Sequence, residues 1–583
     1  MEAVVSRDGE ALGPRSAMGT ATSMSTSIRW LRGLLLASVL LLVVEPGRIP
    51  LFEPDEGRYA EIPREMLATG DFVTPRLNGV LYFEKPPLFY WSVAASFRLF
   101  GLTEFAARIP TKLASAGLIL LTYLFARRRN GERTALLASL ILATSTLVFA
   151  MARITIIDPS LSLALSAAAF AFAAFQEHEA SGDKGRARRA LYLLHLSCAA
   201  AVMLKGLIGI VLPGGAILIW AVVVGRARIV PRLFSPGPLA LFLALVVPWH
   251  VLVARRNPDF LNFYFIHEHF DRFAKREHRR EGSPLYFVAV LLGGFLPWSA
   301  FLPRLSETWP GRRLAAWRQR QTEGFLWIWA LVVFLFFSAS HSKLIPYIEP
   351  IWPAVALSLA IGMEAARKRG VSFRAERIVT AFLFGSLLLA GVLYAFGGGY
   401  AARFGISPFV PFVLGGLFLG FVFLLLPAGP HVHAFRETTA AIAVPWLIFL
   451  SGSVAAFPAV ARAITPWSLV RSVQRELRPG DRLVQRGHYL EVVPFYTRRL
   501  TPVSALGWSE LDFGREHLSP LRRAELFPSE PDFMALWNGP RRVLAIVHRD
   551  HLKSWGDPAM SLSKPVELGR EGNGKHFLFG NKQ

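Results

Sequence analysis

Apolar runs of about 17–25 residues recur down the first 460 positions, and a run of that length is what the hydrocarbon core of a bilayer demands of a helix. They fall near 28–45, 109–126, 133–151, 160–176, 190–204, 206–224, 237–254, 285–303, 323–340, 346–363, 377–396, 408–427 and 438–458. The pattern predicts an all-α polytopic membrane protein with about thirteen transmembrane helices. A transmembrane barrel would show shorter, alternating segments. Only 18% of residues are charged while 53% are hydrophobic, a balance foreign to a soluble chain of this size.

The net charge of +23 invites a nucleic-acid reading, but Lys and Arg cluster in short loops between apolar runs. Arg127, Arg128, Arg129 and Arg133 form one set. Lys184, Arg186, Arg188 and Arg189 form the next of the same parity. Arg226, Arg228 and Arg232 follow, then Arg312, Arg313, Arg318 and Arg320, then Lys368, Arg369 and Arg374. Such sets mark the cytoplasmic side, together with Arg29 and Arg32 near the N-terminus. The opposite side then receives segment 46–108, the turns at Arg153–Pro159, Lys205 and Ser338–Ile345, the segment 255–284, and everything after 459. Segment 255–284 keeps seven cations against that bias, from Arg255 to Arg280, which suits an anionic ligand. The single cysteine, Cys198, permits no intrachain disulfide. Residues 1–27 read as a disordered tail rather than a signal peptide, 28–460 as the membrane domain, and 461–583 as a small α/β domain. Strands in that last domain are expected at 482–485, 500–503, 542–547 and 576–579.

Residues Leu51–Trp91 pack charges of both signs among Pro, Tyr, Phe and Trp, which suits a polar site held against a membrane face. Asp55-Glu56-Gly57-Arg58 could bind a metal or a sugar, act as a base, or simply start a helix after Pro54. Asp158, between two apolar runs, emerges on the same side. An unpaired charge there costs about 2.5–3.5 kcal/mol on insertion scales, unless it caps a helix at the water line. Lys85, before Pro86-Pro87 and an aromatic segment 86–100 that reads as an interfacial helix, stands where a lipid-linked phosphate would lie, although membrane-edge lysines also snorkel. His267-Glu268-His269 is not H-E-x-x-H, since histidines two apart leave opposite sides of a helix. Arg272 is a phosphate candidate. Lys343 lies in a polar turn, and Lys205-Gly206 breaks two apolar runs. No P-loop, G-x-G-x-x-G, D-x-D or G-x-S-x-G occurs, so a nucleotide cofactor is not expected. An enzyme facing away from cytoplasmic ATP needs a pre-activated, membrane-borne substrate, and a polyprenyl-phosphate sugar fits.

The stretch DEGRYAEIPREMLATGDFVTPRLNGVLYFEKPPLFYW resembles the first external loop of the bacterial lipid A aminoarabinose transferases, relatives of the protein O-mannosyltransferases with the GT-C fold. The resemblance recurs in ARITIIDP, MLKGLIGIVLP, NPDFLNFYFIHEHFDRF and SASHSKLIPYIEPIWP, over about 360 residues in the same order. It implies a transferase of an aminosugar, such as 4-amino-4-deoxy-L-arabinose, from a polyprenyl-phosphate carrier to lipid A phosphate at the bacterial inner membrane, with the active site and C-terminal domain facing the periplasm. It makes Asp55 and Asp158 the essential carboxylates and places Arg58 in the same motif. Lys85, Arg272 and Tyr347 hold the carrier phosphate, Tyr82 and Lys205 line the cavity, and Glu84 and His267 match positions for a divalent ion such as Zn or Mg. Glu349 departs from the family pattern, which expects an apolar residue there, and a carboxylate there suggests a different sugar or acceptor. The resemblance favours a single inverting displacement. Transfer to a glycan or protein hydroxyl is the alternative enzyme reading, and a lipid or polyanion flippase is the alternative of another class. A flippase should expose charge at the membrane midplane, whereas these charges sit at one face.

Overall fold

The computed structural model describes residues 14–271, 282–283, 285–396, 409–427, 431–552 and 565–582. Each of the thirteen apolar runs has a helix at its place. The first lies in α1 (Pro14–Val43). The second and third share α4 (Glu104–Thr144), which breaks at Gly131, where φ of 82° is open only to a residue without Cβ strain. The next four are α6 (Asp158–Ala180), α7 (Lys184–Lys205), α8 (Ile208–Val224) and α9 (Pro236–Arg256). The eighth run is a pair, Tyr286–Gly294 and Ser299–Glu307, bent by 100°. Helices Gln321–Ala339, Trp352–Lys368, Arg374–Phe396, Val410–Leu425 and His431–Ile464 complete the set. Among the described residues eight helices are long and apolar enough to cross a membrane, or nine if the bent pair is one span.

Helix α1 begins at Pro14, within the segment 1–27 expected as a tail. Proline suits a first helical turn, and no later Pro interrupts the run into the apolar segment. Residues 1–13 lie outside the described residues.

Ion pairs gather the basic segments at one end of the bundle. Arg129 pairs with Glu177, and Arg232 with Glu179. Arg133 Nε meets Glu364 Oε1 at 2.9 Å, Thr322 Oγ1 donates to Glu177 Oε1 at 2.6 Å, and Arg369 Nη2 meets Glu307 Oε1 at 2.5 Å.

The other end is built on α2 (Asp55–Thr69), a hairpin of β1 (Arg76–Leu77) and β2 (Val80–Leu81), and α3 (Leu88–Phe100). Helix α2 starts with Asp55 and Glu56 in its first turn, which complements the positive end of the helix dipole, and stops at Gly70 in the left-handed region. The segment expected as an interfacial helix is α3. Its Phe89, Tyr90, Val93 and Phe97 are buried, while Leu99 and Phe100 are exposed.

A five-stranded sheet follows residue 480: β3 (Arg482–Arg486), β4 (Val503–Ser504), β5 (Val543–His548), β6 (Val566–Arg570) and β7 (His576–Gly580), in the order β4-β3-β5-β7-β6. Strands β3, β4 and β5 pair in parallel, and β7 runs antiparallel to β5 and β6. Strand β6 was not expected from the sequence. It is an edge strand with no fully buried residue, so it carries no apolar alternation to read.

This domain docks on the loop between α1 and α4. Asn78 Nδ2 donates to the Thr501 carbonyl at 2.8 Å, and Thr501 N donates to Asn78 Oδ1 at 2.9 Å. Gly57 allows one close approach. A Cβ there would stand 2.8 Å from Glu491 Cβ and 2.9 Å from Val492 N.

Candidate active site

The segments that carry Asp55 and Asp158, 103 positions apart, are tied together by a third residue. Glu56, fully buried, accepts from Arg108 Nε at 2.8 Å and Nη2 at 2.7 Å, from Phe52 N at 3.0 Å, and from Thr155 N at 2.6 Å. The last contact fixes the turn ahead of Asp158 against the start of α2. Tyr59, one turn on from Asp55, lies in the field of both Asp55 and Asp158. Burial first, then Tyr90 and the two carboxylates, push its phenol well above its ordinary value.

On the α6 side, Lys205 Nζ bonds Asp158 Oδ1 at 2.5 Å and lies 4.7 Å from the centre of the Tyr347 ring. Lys205 is the last residue of α7. Gly206 stops that helix with φ of 76°, and Gly209 then folds back so closely that a Cβ would sit 2.5 Å from Val202 N. A cation at a helix C-terminus also complements the dipole. Below the pair, Ser162 Oγ donates to Glu349 Oε2 at 3.2 Å.

On the α2 side, Arg58 Nη1 donates to Asp55 Oδ1 at 3.0 Å, and its Nη2 meets Glu510 Oε2 at 2.6 Å. Asp55 keeps 48% of its side chain exposed, whereas Arg58 keeps 12%. Burial opposes the guanidinium charge, but Glu510, Tyr82, Glu84 and Asp55 outweigh it and hold Arg58 well above its ordinary value. Tyr82 is buried beside these groups. Lys85 Nζ donates to the Glu84 carbonyl at 2.7 Å and lies 3.8 Å from Glu84 Oε2.

The structure therefore groups Asp55, Arg58, Tyr82, Glu84 and Lys85 in one set, and Asp158, Lys205 and Tyr347 in another, with Tyr59 in the field of a carboxylate from each. Lys343 is placed differently. Its ammonium donates to the carbonyls of Ser338 and Ser340 at 3.1 and 2.5 Å, closing the end of helix Gln321–Ala339. Arg272 and the side chain of His267 lie outside the described residues. Among the described residues no three His, Cys, Asp or Glu side chains are grouped to hold a metal ion, and Glu84 is flanked by the cations Lys85 and Arg58.

Glu510 is the residue that sequence reasoning missed. It lies in the C-terminal domain, between β4 and the short helix Asp512–Glu516, and its partner is more than 450 positions away. Behind it lie two more buried carboxyls, Glu491 and Glu53, in electrostatic reach of one another. Glu53 also accepts from the backbone N of Val492 at 2.8 Å and of Glu491 at 3.2 Å. Burial raises all three carboxyls above the ordinary value of 4.5, with Glu53 adding to the rise at Glu491 and Arg58 opposing it at Glu510. Burial and mutual repulsion favour the neutral form, so the three carboxyls hold protons more readily in the folded state than in the unfolded chain.

The sign of the pH effect follows. The unfolded chain releases these protons above about 4.5, so their stabilisation is complete in acid and is lost as pH rises through the folded values. Glu491→Gln removes one such proton. Its thermal midpoint relative to wild type should rise with pH in detergent. A difference that stays flat from acid to alkaline pH would place the proton elsewhere.

Residues 20–264 match the family model of dolichyl-phosphate-mannose-protein mannosyltransferases. The undecaprenyl phosphate-alpha-4-amino-4-deoxy-L-arabinose arabinosyl transferase of Edwardsiella ictaluri is 36% identical over 337 residues, 57% of this chain and 58% of that protein. One from Sodalis glossinidius is 37% identical over 376 residues, 62% and 65% of the two chains. The matches thus span less than two thirds of these curated relatives. The crystal structure of ArnT from Cupriavidus metallidurans bound to undecaprenyl phosphate superposes with a TM-score of 0.80 at 27% identity, over 95% of this chain and 98% of that one. Its apo state gives 0.78. Fold and site together define a multi-pass inner-membrane protein of the GT-C class. Within it, the chain is similar to the aminoarabinose transferases and, over residues 20–264, to the protein mannosyltransferases.

Proposed function

We propose that this chain transfers 4-amino-4-deoxy-L-arabinose from undecaprenyl phosphate to a phosphate of lipid A. The observation that carries the reading is the Asp158–Lys205 pair seated on Tyr347, with the Asp55–Arg58 pair near enough that Tyr59 feels both carboxylates. The relatives' names supply the sugar and carrier. The site faces the periplasm, because the basic segments gather at the opposite end of the bundle, and about thirteen helices cross the membrane.

The carrier phosphate leaves as a stable anion, so no general acid is required. Lys85, together with Arg272, stabilises that anion as the bond to the sugar breaks. Asp55 and Asp158 orient the sugar and face its developing positive charge. A lipid A phosphate is largely ionised at neutral pH, with a second pKa of about 6, and attacks without a base. A divalent ion at Glu84 and His267 would require a third ligand.

The test compares intact lipid A with its dephosphorylated form, using purified protein and the undecaprenyl-phosphate aminosugar. Transfer should occur only to the intact acceptor. Equal transfer to both would rule out a phosphate acceptor.

A further inference from the structure

The seam between α6 and the turn Ile345–Ile351 holds a charge that the transfer chemistry does not use. Asp158, Ser162 and Ser166 follow one another at four-residue intervals and so line one face of α6. Against that face stand Tyr347, Glu349 and Pro350. Lys205 lies over the Tyr347 ring, Ser162 Oγ bonds Glu349, and Ser166 Oγ donates to the Pro350 carbonyl at 3.4 Å. Glu349 is fully buried, and its Oε1 has no hydrogen-bond partner.

The count of charge is uneven. Asp158 and Glu349 are two carboxylates, and both interact electrostatically with the single ammonium of Lys205. Fully ionised, the seam carries one negative charge too many in a place shielded from water, where an uncompensated charge is costly. Either a proton or an external cation must supply the balance. Glu349 is itself closed off, while Asp158 and Lys205 keep 7% and 15% of their side chains exposed, and Tyr347 is half-buried. A ligand therefore meets Asp158, Lys205 and Tyr347, with Glu349 acting from behind them.

We infer that Glu349 is a positioning residue that makes this site selective for a sugar bearing a protonated amine, by sharing Lys205 with Asp158 and leaving the seam one positive charge short. This rests on the transferase reading above, and it replaces the expectation of a different sugar at Glu349 with a sharper selection for the aminosugar itself. In the empty site the balance is a proton at Glu349, whose Oε1 is buried without another partner. When the ammonium of the sugar arrives at Asp158, that proton leaves to solvent, both carboxylates are ionised, and the seam is neutral. A hydroxyl in place of the amine brings no charge, so the proton stays.

The prediction is a proton count. Undecaprenyl phosphate-linked 4-amino-4-deoxy-L-arabinose and its 4-hydroxyl analogue are titrated calorimetrically into the full-length protein, in buffers of different ionisation enthalpy. Wild type should release close to one proton on binding the amino donor and none on binding the hydroxyl donor, and should prefer the former. Glu349→Gln keeps the shape and the acceptor for Ser162 but removes the titrating carboxyl. It should abolish the proton release and reduce the preference by about tenfold or more, the scale of one charge-assisted contact. Ser162→Ala, which loosens the same seam without changing its charge, should keep the proton release. Glu349→Gln that retains both release and preference would overturn the assignment while leaving the transferase reading intact. Failure of wild type to bind either donor would instead overturn the transferase reading, and this assignment with it.

Discussion

Asp158→Asn should lower turnover by at least about a hundredfold, the scale of losing one preorganised charge at a reacting centre, with little change in thermal midpoint. The asymmetry comes from the surroundings. The substitution leaves the shape of the side chain and removes only its charge. Lys205 then loses a partner at 2.5 Å, but it keeps the face of Tyr347 and the field of Glu349. Truncating one member of a buried pair ordinarily costs about 3–5 kcal/mol because a bare charge is left behind. Here a second carboxylate stands ready, so the stability cost falls well short of that. The chemistry has no such reserve, because Glu349 is closed to any ligand. The measurement pairs single-turnover transfer with fluorescence-detected unfolding in detergent. Near-normal turnover would reduce Asp158 to an anchor for Lys205.

The membrane bundle was legible because its signal is local and long. Thirteen apolar runs each became a helix, and even the break at Lys205-Gly206 could be read from the sequence, since a glycine between two apolar runs marks a turn. The site was legible in part for a different reason. Charges that survive beside apolar segments need a purpose, and Asp55, Arg58, Lys85, Asp158 and Lys205 are such charges. What escaped was everything that depends on distant pairing. Nothing near Glu510 in sequence announces Arg58, and nothing near Lys343 shows that its ammonium is spent on the carbonyls of its own turn. The edge strand β6 escaped because a strand with no buried face has no pattern.

The neighbours Asp55 and Glu56 show how far one residue's step round a helix separates two roles, and substituting each should separate them by experiment. Consecutive helical residues point about 100° apart, so one faces the cavity and the other the protein interior. Asp55 is 48% exposed and holds only Arg58. Glu56 is fully buried, binds Arg108 through two oxygens, and accepts two backbone N–H groups besides. Glu56→Ala leaves Arg108, itself fully buried, with Glu45 as its remaining carboxylate at 2.7 Å, and leaves the Thr155 N–H without its acceptor. The expected loss is about 3–5 kcal/mol, seen as a sharp fall in folded yield and thermal midpoint. Turnover should fall with it even in the fraction that folds, because the tether from Glu56 to Thr155 is what sets Asp158 opposite α2. Asp55→Ala should do the reverse, holding the midpoint within about 0.5 kcal/mol of wild type, as surface substitutions do, while abolishing transfer. If Glu56→Ala unfolds at the wild-type temperature, the Glu56–Arg108 pair does not hold the two carboxylates together, and their approach must be set by the docking of the C-terminal domain on α2.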